Sequence, residues 1–362
     1  MVEMYFDVNP KTSQQDLFGM SYLVESTINY LNDKTVRMIV LKGLRRTGKT
    51  SLLNVALSGV KGKSVKIDVR ESPYDDRREF MRFLVEKIKM EVGEPFFQKI
   101  LKRFSGLKLA YKDLSATFLF QSEKDFPLFF EKLNRQLEES KTSLVIAFDE
   151  AQLLSQIKFE NNLAAIYDNY KNIRIIITGS EVGLVDDFLG KKNVDAALFG
   201  RAYIEVETKK FGGEQIGDFL AEGGKQIGKS ITLKESREVI EFLDGVIGWA
   251  THYGWLRSKN LPHEKALEKV LADGSEIAKR ELENFLIRRR KTNYTHLLKW
   301  IKKGFNRWGM IKGQYAKNGM KTSDYQLNFY LKELIDYGII EKINESYFIT
   351  DPLFGRVVSE KF

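Results

Sequence analysis

A chain of 362 residues is too long for one ordinary hydrophobic core and divides into two or three domains. Its 43% hydrophobic and 30% charged content is that of a globular protein, and the lack of any cysteine excludes disulfides, thiolate metal sites and a cysteine nucleophile. The formal net charge of +9 becomes informative only once it is located along the chain.

No apolar run approaches the length of about 18 residues that a membrane helix needs. Residues Met1–Asp7 lack the basic start and apolar core of a signal peptide. A cytoplasmic location without a membrane partner is the expectation. The histidines His252, His263 and His296 are spaced too widely for a local zinc motif and read as surface or packing residues.

In chain order, Val36–Leu41 is short, mostly apolar and rich in β-branched residues, the pattern of a buried strand. It runs into Gly43-Leu44-Arg45-Arg46-Thr47-Gly48-Lys49-Thr50, followed by a helix-like Ser51–Leu57. That octapeptide fits G-x-x-x-x-G-K-[ST]. Gly43 and Gly48 let the backbone turn tightly enough for successive N–H groups to face phosphate oxygens. Lys49 sets a cation beside the β- and γ-phosphates, the Thr50 hydroxyl suits Mg²⁺, and the start of the next helix adds its positive end. Gly43 through Ser51 is therefore the expected binding set for ATP or ADP.

Ser64–Val69 reads as a second strand, and residues 73–140 are mostly helical by pattern. Ser143–Phe148 is a third strand, running into Asp149 and Glu150. Asp149 at the strand tip suits Mg²⁺, through water, and Glu150 suits a base that orients and deprotonates an attacking water. Acidic pairs after strands are common as solvated turns, so the phosphate loop upstream is what gives this pair its meaning. Ile173–Thr178 and Ala202–Val206 complete five strands. Apolar strands separated by helices indicate a parallel sheet covered on both faces.

From about residue 211 to 290 the strands stop and helical spacing takes over, in Ile216–Ala221, Ser236–Leu243, Glu264–Leu271 and Ser275–Ile287. Tyr294–Phe305 then sets Leu297, Leu298, Ile301 and Phe305 on one face. Thr322-Ser323 caps a helix that turns Leu327, Leu331, Leu334 and Ile335 inward and ends at Gly338. Ile339–Ile343 and Tyr347–Ile349 form a hairpin, halted by Asp351-Pro352. Helices followed at once by a hairpin describe a winged helix-turn-helix. Between Phe285 and Tyr330 eleven basic residues face one acid, Asp324, so this window carries essentially all of the net charge. Such confinement suggests a polyanion-binding surface, and duplex DNA is the expected partner. A solvated face or a docking face for a protein is the alternative. In the recognition-helix position, Tyr325, Gln326, Asn328 and Lys332 lie off the apolar stripe, and Gln and Asn suit adenine edges.

Taken together, Leu44–Leu53, Ile67–Arg70, Phe148-Asp149-Glu150-Ala151-Gln152, Ile177-Thr178-Gly179-Ser180-Glu181 and Leu198-Phe199-Gly200-Arg201 resemble the archaeal ATPase family, within the STAND group of P-loop NTPases related to AAA+ proteins. The resemblance spans nearly the whole chain. It implies an ASCE-type sheet in which a sensor strand separates the Walker A and Walker B strands. It makes Ser180 a sensor of the γ-phosphate, where a Gly-Ser turn is the plainer reading. It also makes Arg201 a residue that reaches phosphate across the cleft or from a neighbouring subunit, where a solvated loop arginine is the alternative. Two stretches depart from the family. Leu17-Phe18-Gly19-Met20-Ser21 replaces Phe-x-Gly-Arg-Glu near the adenine pocket, and Asp244–Trp249 lacks the proline of the lid's Gly-x-Pro turn.

The sequence thus describes an α/β P-loop ATPase core over 1–210, a helical lid over 211–290 and a winged helix over 291–362. The expected function is a nucleotide-dependent ATPase switch coupled through the lid to a DNA-binding domain. A DNA-binding regulator or protein-docking adaptor with a structural nucleotide is the alternative.

Overall fold

The computed structural model describes residues 4–103, 125–287 and 289–360. Residues 104–124 of the stretch read as helical, and Arg288 of the basic window, lie outside the described part. Strands β1 (Met38–Gly43), β2 (Lys63–Asp68), β3 (Leu144–Asp149), β4 (Ile173–Gly179) and β5 (Ile204–Thr208) form one parallel sheet in the order β2-β3-β4-β1-β5. The sensor strand β4 lies between the phosphate-loop strand β1 and the acidic strand β3, as the resemblance implies.

Every residue of β1, β3 and β4 is buried, because helices cover both faces. The two-residue period sorts the side chains. Ile39, Leu41, Val145 and Ala147 face helices α1 (Ser21–Asn32) and α2 (Lys49–Ser58). Met38, Val40, Ile146 and Phe148 face α3 (Arg77–Val92), α4 (Glu94–Leu101), α5 (Asp125–Glu139) and α6 (Glu160–Asn169). The short α7 (Val182–Phe188) leaves the tip of β4.

Helices α8 (Gly213–Gln226), α9 (Leu233–Leu243), α10 (Ile247–Ser258) and α11 (His263–Leu286) follow, then α12 (Lys291–Lys302), α13 (Trp308–Lys317) and α14 (Asp324–Asp336). Ser323 and Gln326 form the reciprocal cap at the start of α14. Strands β6 (Ile340–Ile343) and β7 (Ser346–Ile349) make the antiparallel hairpin. Helix α13 was not legible in the sequence. The hairpin ends just before Asp351-Pro352, and Pro352 opens a further helix that was not anticipated, α15 (Pro352–Glu360), with the Asp351 carboxylate accepting from the Leu353 N–H at 2.9 Å. Helix α15 then folds back, so Leu353, Val357 and Val358 share one apolar cluster with Trp249 and Leu271.

The C-terminal helices touch the sheet domain at α7. A Cβ on Gly183 would fall 2.3 Å from the Asp336 Cα, so α14 and α7 cross backbone to backbone. A Cβ on Gly217, inside α8, would meet nothing within 4 Å. Gly183→Ala should therefore lower stability by about 1–3 kcal/mol despite alanine's better helix propensity. Gly217→Ala should raise it by about 0.5–1 kcal/mol. Thermal unfolding of the pair checks both signs, and a stabilised Gly183→Ala would refute the close crossing.

Candidate functional site

The site is built where β1, β3 and β4 end side by side. Gly48 opens α2 with a φ of +89°, a conformation that disfavours other residues, and a Cβ there would meet the Met20 Cε at 2.8 Å. A Cβ on Gly43 would lie 2.1 Å from the Thr208 Oγ1. The loop between them is braced by Thr47, whose hydroxyl donates to the Leu44 carbonyl at 2.7 Å and lies 2.7 Å from the Thr208 hydroxyl. Lys49 is only 6% exposed, and its Nζ donates to the Leu44 carbonyl at 2.7 Å. Burial lowers its pKa to about 8, although Glu150 and Asp149 pull the other way.

Asp149 is buried at the tip of β3. One of its oxygens accepts from the Thr178 hydroxyl, and the other accepts from Thr50 Oγ1 at 3.2 Å with Lys66 Nζ at 3.7 Å. Two oxygen ligands facing each other beside a phosphate loop are a donor set suited to a hard cation. Among the described residues no cluster of three or more His, Cys, Asp or Glu forms a metal site. Glu150 follows in the left-handed region at φ +59°. Its carboxylate accepts from the Ser180 N–H at 3.1 Å, from the Ser180 hydroxyl at 3.0 Å and from Gln152 Nε2 at 2.8 Å. The sheet thus brings Lys49, Thr50, Asp149, Glu150 and Ser180 together.

The two loop arginines point away from these groups. Arg45 pairs with Glu181 at 2.9 Å and with Glu281 of α11 at 3.0 Å. Arg46 pairs with the same Glu281 oxygen at 3.1 Å, stands 4.2 Å over the Trp249 ring and lies 3.9 Å from Asp351. Burial raises the pKa of Glu181, opposed by Arg45, and burial raises that of Asp351. The other oxygen of Glu281 is buried without a partner.

Arg201 is not part of this cleft. It precedes β5, at the end of the sheet opposite the phosphate loop, where it pairs with Asp168 through bonds of 3.0 and 2.5 Å. Gly43 pairs with Thr208, so at about 3.3 Å per residue Arg201 lies on the order of 20 Å from the loop. Within one chain it does not reach phosphate, which corrects the across-the-cleft reading. The histidines pack as expected: His263 is buried between the Tyr253 hydroxyl and Glu238, each at 2.9 Å, and His296 contacts the Thr292 carbonyl.

The cleft in front of the loop has a volume of about 800 Å³, within the range of small-molecule sites. Its far wall is formed by Tyr5, Pro10 and Met20 of the N-terminus, facing Ile247 and Trp255 of α10; Met20 lies in the stretch that the resemblance puts near the adenine pocket, whereas Tyr5 and Pro10 carried no signal. The Ser51 hydroxyl anchors that segment by accepting the Lys11 N–H at 3.0 Å. Thr178 was also overlooked as a partner of Asp149, although a lone hydroxyl at the end of the apolar run Ile175–Ile177 of β4 was the available signal.

At the C-terminal end, the side chains expected to read bases are engaged. Gln326 caps its own helix, Asn328 Oδ1 accepts from Trp308 Nε1 at 2.8 Å, and Lys332 pairs with Asp336 and with Asp187 of α7.

Residues 32–186 match the model of an AAA domain. The Walker-type ATPase of Pyrococcus abyssi is 30% identical, aligned over 98% of this chain and 100% of its own, with a TM-score of 0.81. The ORC2 protein of Aeropyrum pernix in its ADPNP–ADP complexes aligns over 98% of this chain and 96% of its own, with a TM-score of 0.62. At 15% identity that likeness shows the fold alone. No curated protein matches the chain.

The lowered pKa of Lys49 sets a pH dependence. Above about pH 8 the free site loses its cation, whereas bound phosphate favours the charged form. Affinity for ADP should fall as pH rises, by about tenfold from pH 7 to pH 9. Lys49→Arg, which stays charged, should flatten the profile. Titration calorimetry across that range decides it, and a flat wild-type curve would contradict the assignment.

Proposed function

This chain belongs to the archaeal P-loop ATPases related to AAA+ proteins, and on that premise we propose that it is a nucleotide switch that hydrolyses ATP. The observation that carries the reading is the convergence of Lys49, the Thr50–Asp149 pair and a Ser180-oriented Glu150 on one cleft. Residues Gly43 to Ser51 cradle the phosphates, with Lys49 beside the β- and γ-groups. Thr50 and Asp149 fit Mg²⁺, which when bound neutralises charge developing on the phosphates. Glu150 takes the proton of the attacking water, and Ser180 fixes the direction of its carboxylate. Arg201 acts on the nucleotide of a neighbouring subunit. The alternative of a nearly silent nucleotide has one observation in its favour. Ser180 and Gln152 already occupy both Glu150 oxygens, so turnover requires that carboxylate to be released and is slow.

We assign the ATPase core to residues 1–210, the lid to 211–290 and a winged helix to 291–362. The last binds DNA through phosphate contacts. Support comes from the helix–helix–hairpin order and from exposed basic residues such as Lys303, Arg307, Lys317 and Lys321.

Two substitutions test the enzymatic reading. Glu150→Gln should bind ATP as the wild type does and hydrolyse it about 10²–10⁴-fold more slowly. Unchanged single-turnover hydrolysis would reduce Glu150 to a turn residue. Arg201→Ala should lower turnover without changing ADP affinity, and wild-type specific activity should rise with protein concentration. Specific activity that stays constant across a wide concentration range would remove Arg201 from the mechanism.

A further inference from the structure

Helix α14 occupies the recognition position, yet its outward side is not equipped to read base edges. Gln326, Asn328 and Lys332 already hold partners within the protein and Asp324 is paired with Lys312, so the exposed side chains without a polar partner on its first two turns are aromatic. Tyr325 is 80% exposed and Phe329 is 48% exposed, one helical turn apart. Cations border this pair. Lys317 and Lys321 lie on the approach to Tyr325, and Arg307 adjoins Trp308, whose indole reaches Asn328 beside Phe329. All three are exposed and form no ion pair among the described residues, whereas Lys312 is neutralised by Asp324 at 2.9 Å. Arg307 also bridges to Ser346 of the hairpin, so the cationic edge continues onto the wing.

We infer that this surface binds single-stranded DNA, with unpaired bases stacked on Tyr325 and Phe329 and phosphates along Lys317, Lys321 and Arg307. The inference deepens the DNA reading above and rests on it. Exposed rings flanked by cations are the arrangement that holds single strands, because every base offers a π-face to the ring and every nucleotide a phosphate to the cation. The spacing separates single strand from duplex. One helical turn sets the rings about 6 Å apart along the axis, whereas successive bases in a duplex strand are about 3.4 Å apart with both faces covered. Only bases that have left the stack can cover both rings. The far end of α14 is excluded, since Lys332 and Asp336 there face the ATPase core.

The test uses the full chain and fluorescence anisotropy at low salt with two probes, a labelled oligo-dT and a blunt duplex hairpin. Oligo-dT should bind more tightly than the hairpin. Tyr325→Ala and Phe329→Ala should each weaken oligo-dT on the order of tenfold and leave the hairpin within about twofold, while Tyr325→Trp should retain binding. The exposure of Tyr325 keeps its substitutions clear of the core, and an unchanged thermal melt verifies that. Equal affinity for both probes, with the alanine variants unaffected, overturns the stacking inference and leaves phosphate tracking intact. Binding of neither probe overturns the DNA reading itself and this inference with it.

Discussion

The guanidinium of Arg46 cannot be left alone where the phosphate loop puts it. The residue sits at φ +62°, partly buried, and its side chain runs along the cleft wall to the helices that follow the sheet. A cation in such a place needs both charge and aromatic partners. It finds Glu281 from α11, the Trp249 ring from α10 and, at longer range, Asp351 before α15. Its backbone is held as well, since the Gly248 N–H donates to the Arg46 carbonyl at 3.0 Å and a Cβ on Gly248 would sit 2.8 Å from the Arg46 Cβ. One loop residue therefore fixes the position of three helices against the phosphate-binding turn.

From that anchor a continuous set of polar contacts runs back to Glu150. Glu281 also holds Arg45, Arg45 holds Glu181, Glu181 accepts from Gln152 at 3.3 Å, and Gln152 donates to Glu150. Acids and bases alternate from Arg46 to Glu181, and the neutral amide of Gln152 joins Glu181 to Glu150, so removing Arg45 leaves the carboxylate of Glu181 without its cation. The burial that raises the pKa of Glu181 marks how little water is available to replace a lost partner. The expected route from nucleotide to C-terminus was through the lid alone. The C-terminal segment also approaches the loop directly, because Gly338 at the end of α14 and Thr350 line a small cavity of about 200 Å³ behind the loop with Arg45 and Glu281.

Legibility in the sequence followed the physics of each part. The central strands β1, β3 and β4 were readable because both faces of the sheet are covered there, so each is a nearly uninterrupted apolar run, whereas the edge strands β2 and β5 were readable from alternating apolar residues. The phosphate loop and the Asp149-Glu150 pair were readable because their chemistry demands particular residues at fixed local spacing. Helix α13 was not, since Trp308–Lys317 buries only Ile311 and Tyr315 and so carries almost no periodic signal. Helix α15 was hidden by Pro352, which terminates most patterns but is well suited to a first turn. The partners of Arg45 and Arg46 were out of reach for a different reason. Glu281 and Asp351 lie more than 200 residues away in sequence, and nothing local distinguishes a carboxylate that will meet the loop from one that faces water.

The same geometry constrains how the two ends of the molecule can move. Helix α14 is pinned at its C-terminal end, where Asp336 crosses Gly183 and Lys332 reaches Asp187, and is open to solvent at its N-terminal end. Helix α7, against which it is pinned, begins directly after Ser180 and Glu181, the residues that hold Glu150 and Arg45. Close packing of backbone on backbone leaves no slack to absorb a shift between α7 and α14. A shift of Ser180 that carries α7 with it must therefore either carry α14 as well or break the Gly183–Asp336 crossing, whereas rotation of the Glu150 side chain alone does neither. The first course turns the exposed aromatic end of α14 through the largest arc, because that end lies farthest from the pivot. The second detaches the C-terminal helices from the sheet while Arg46 still ties them to the loop through Asp351.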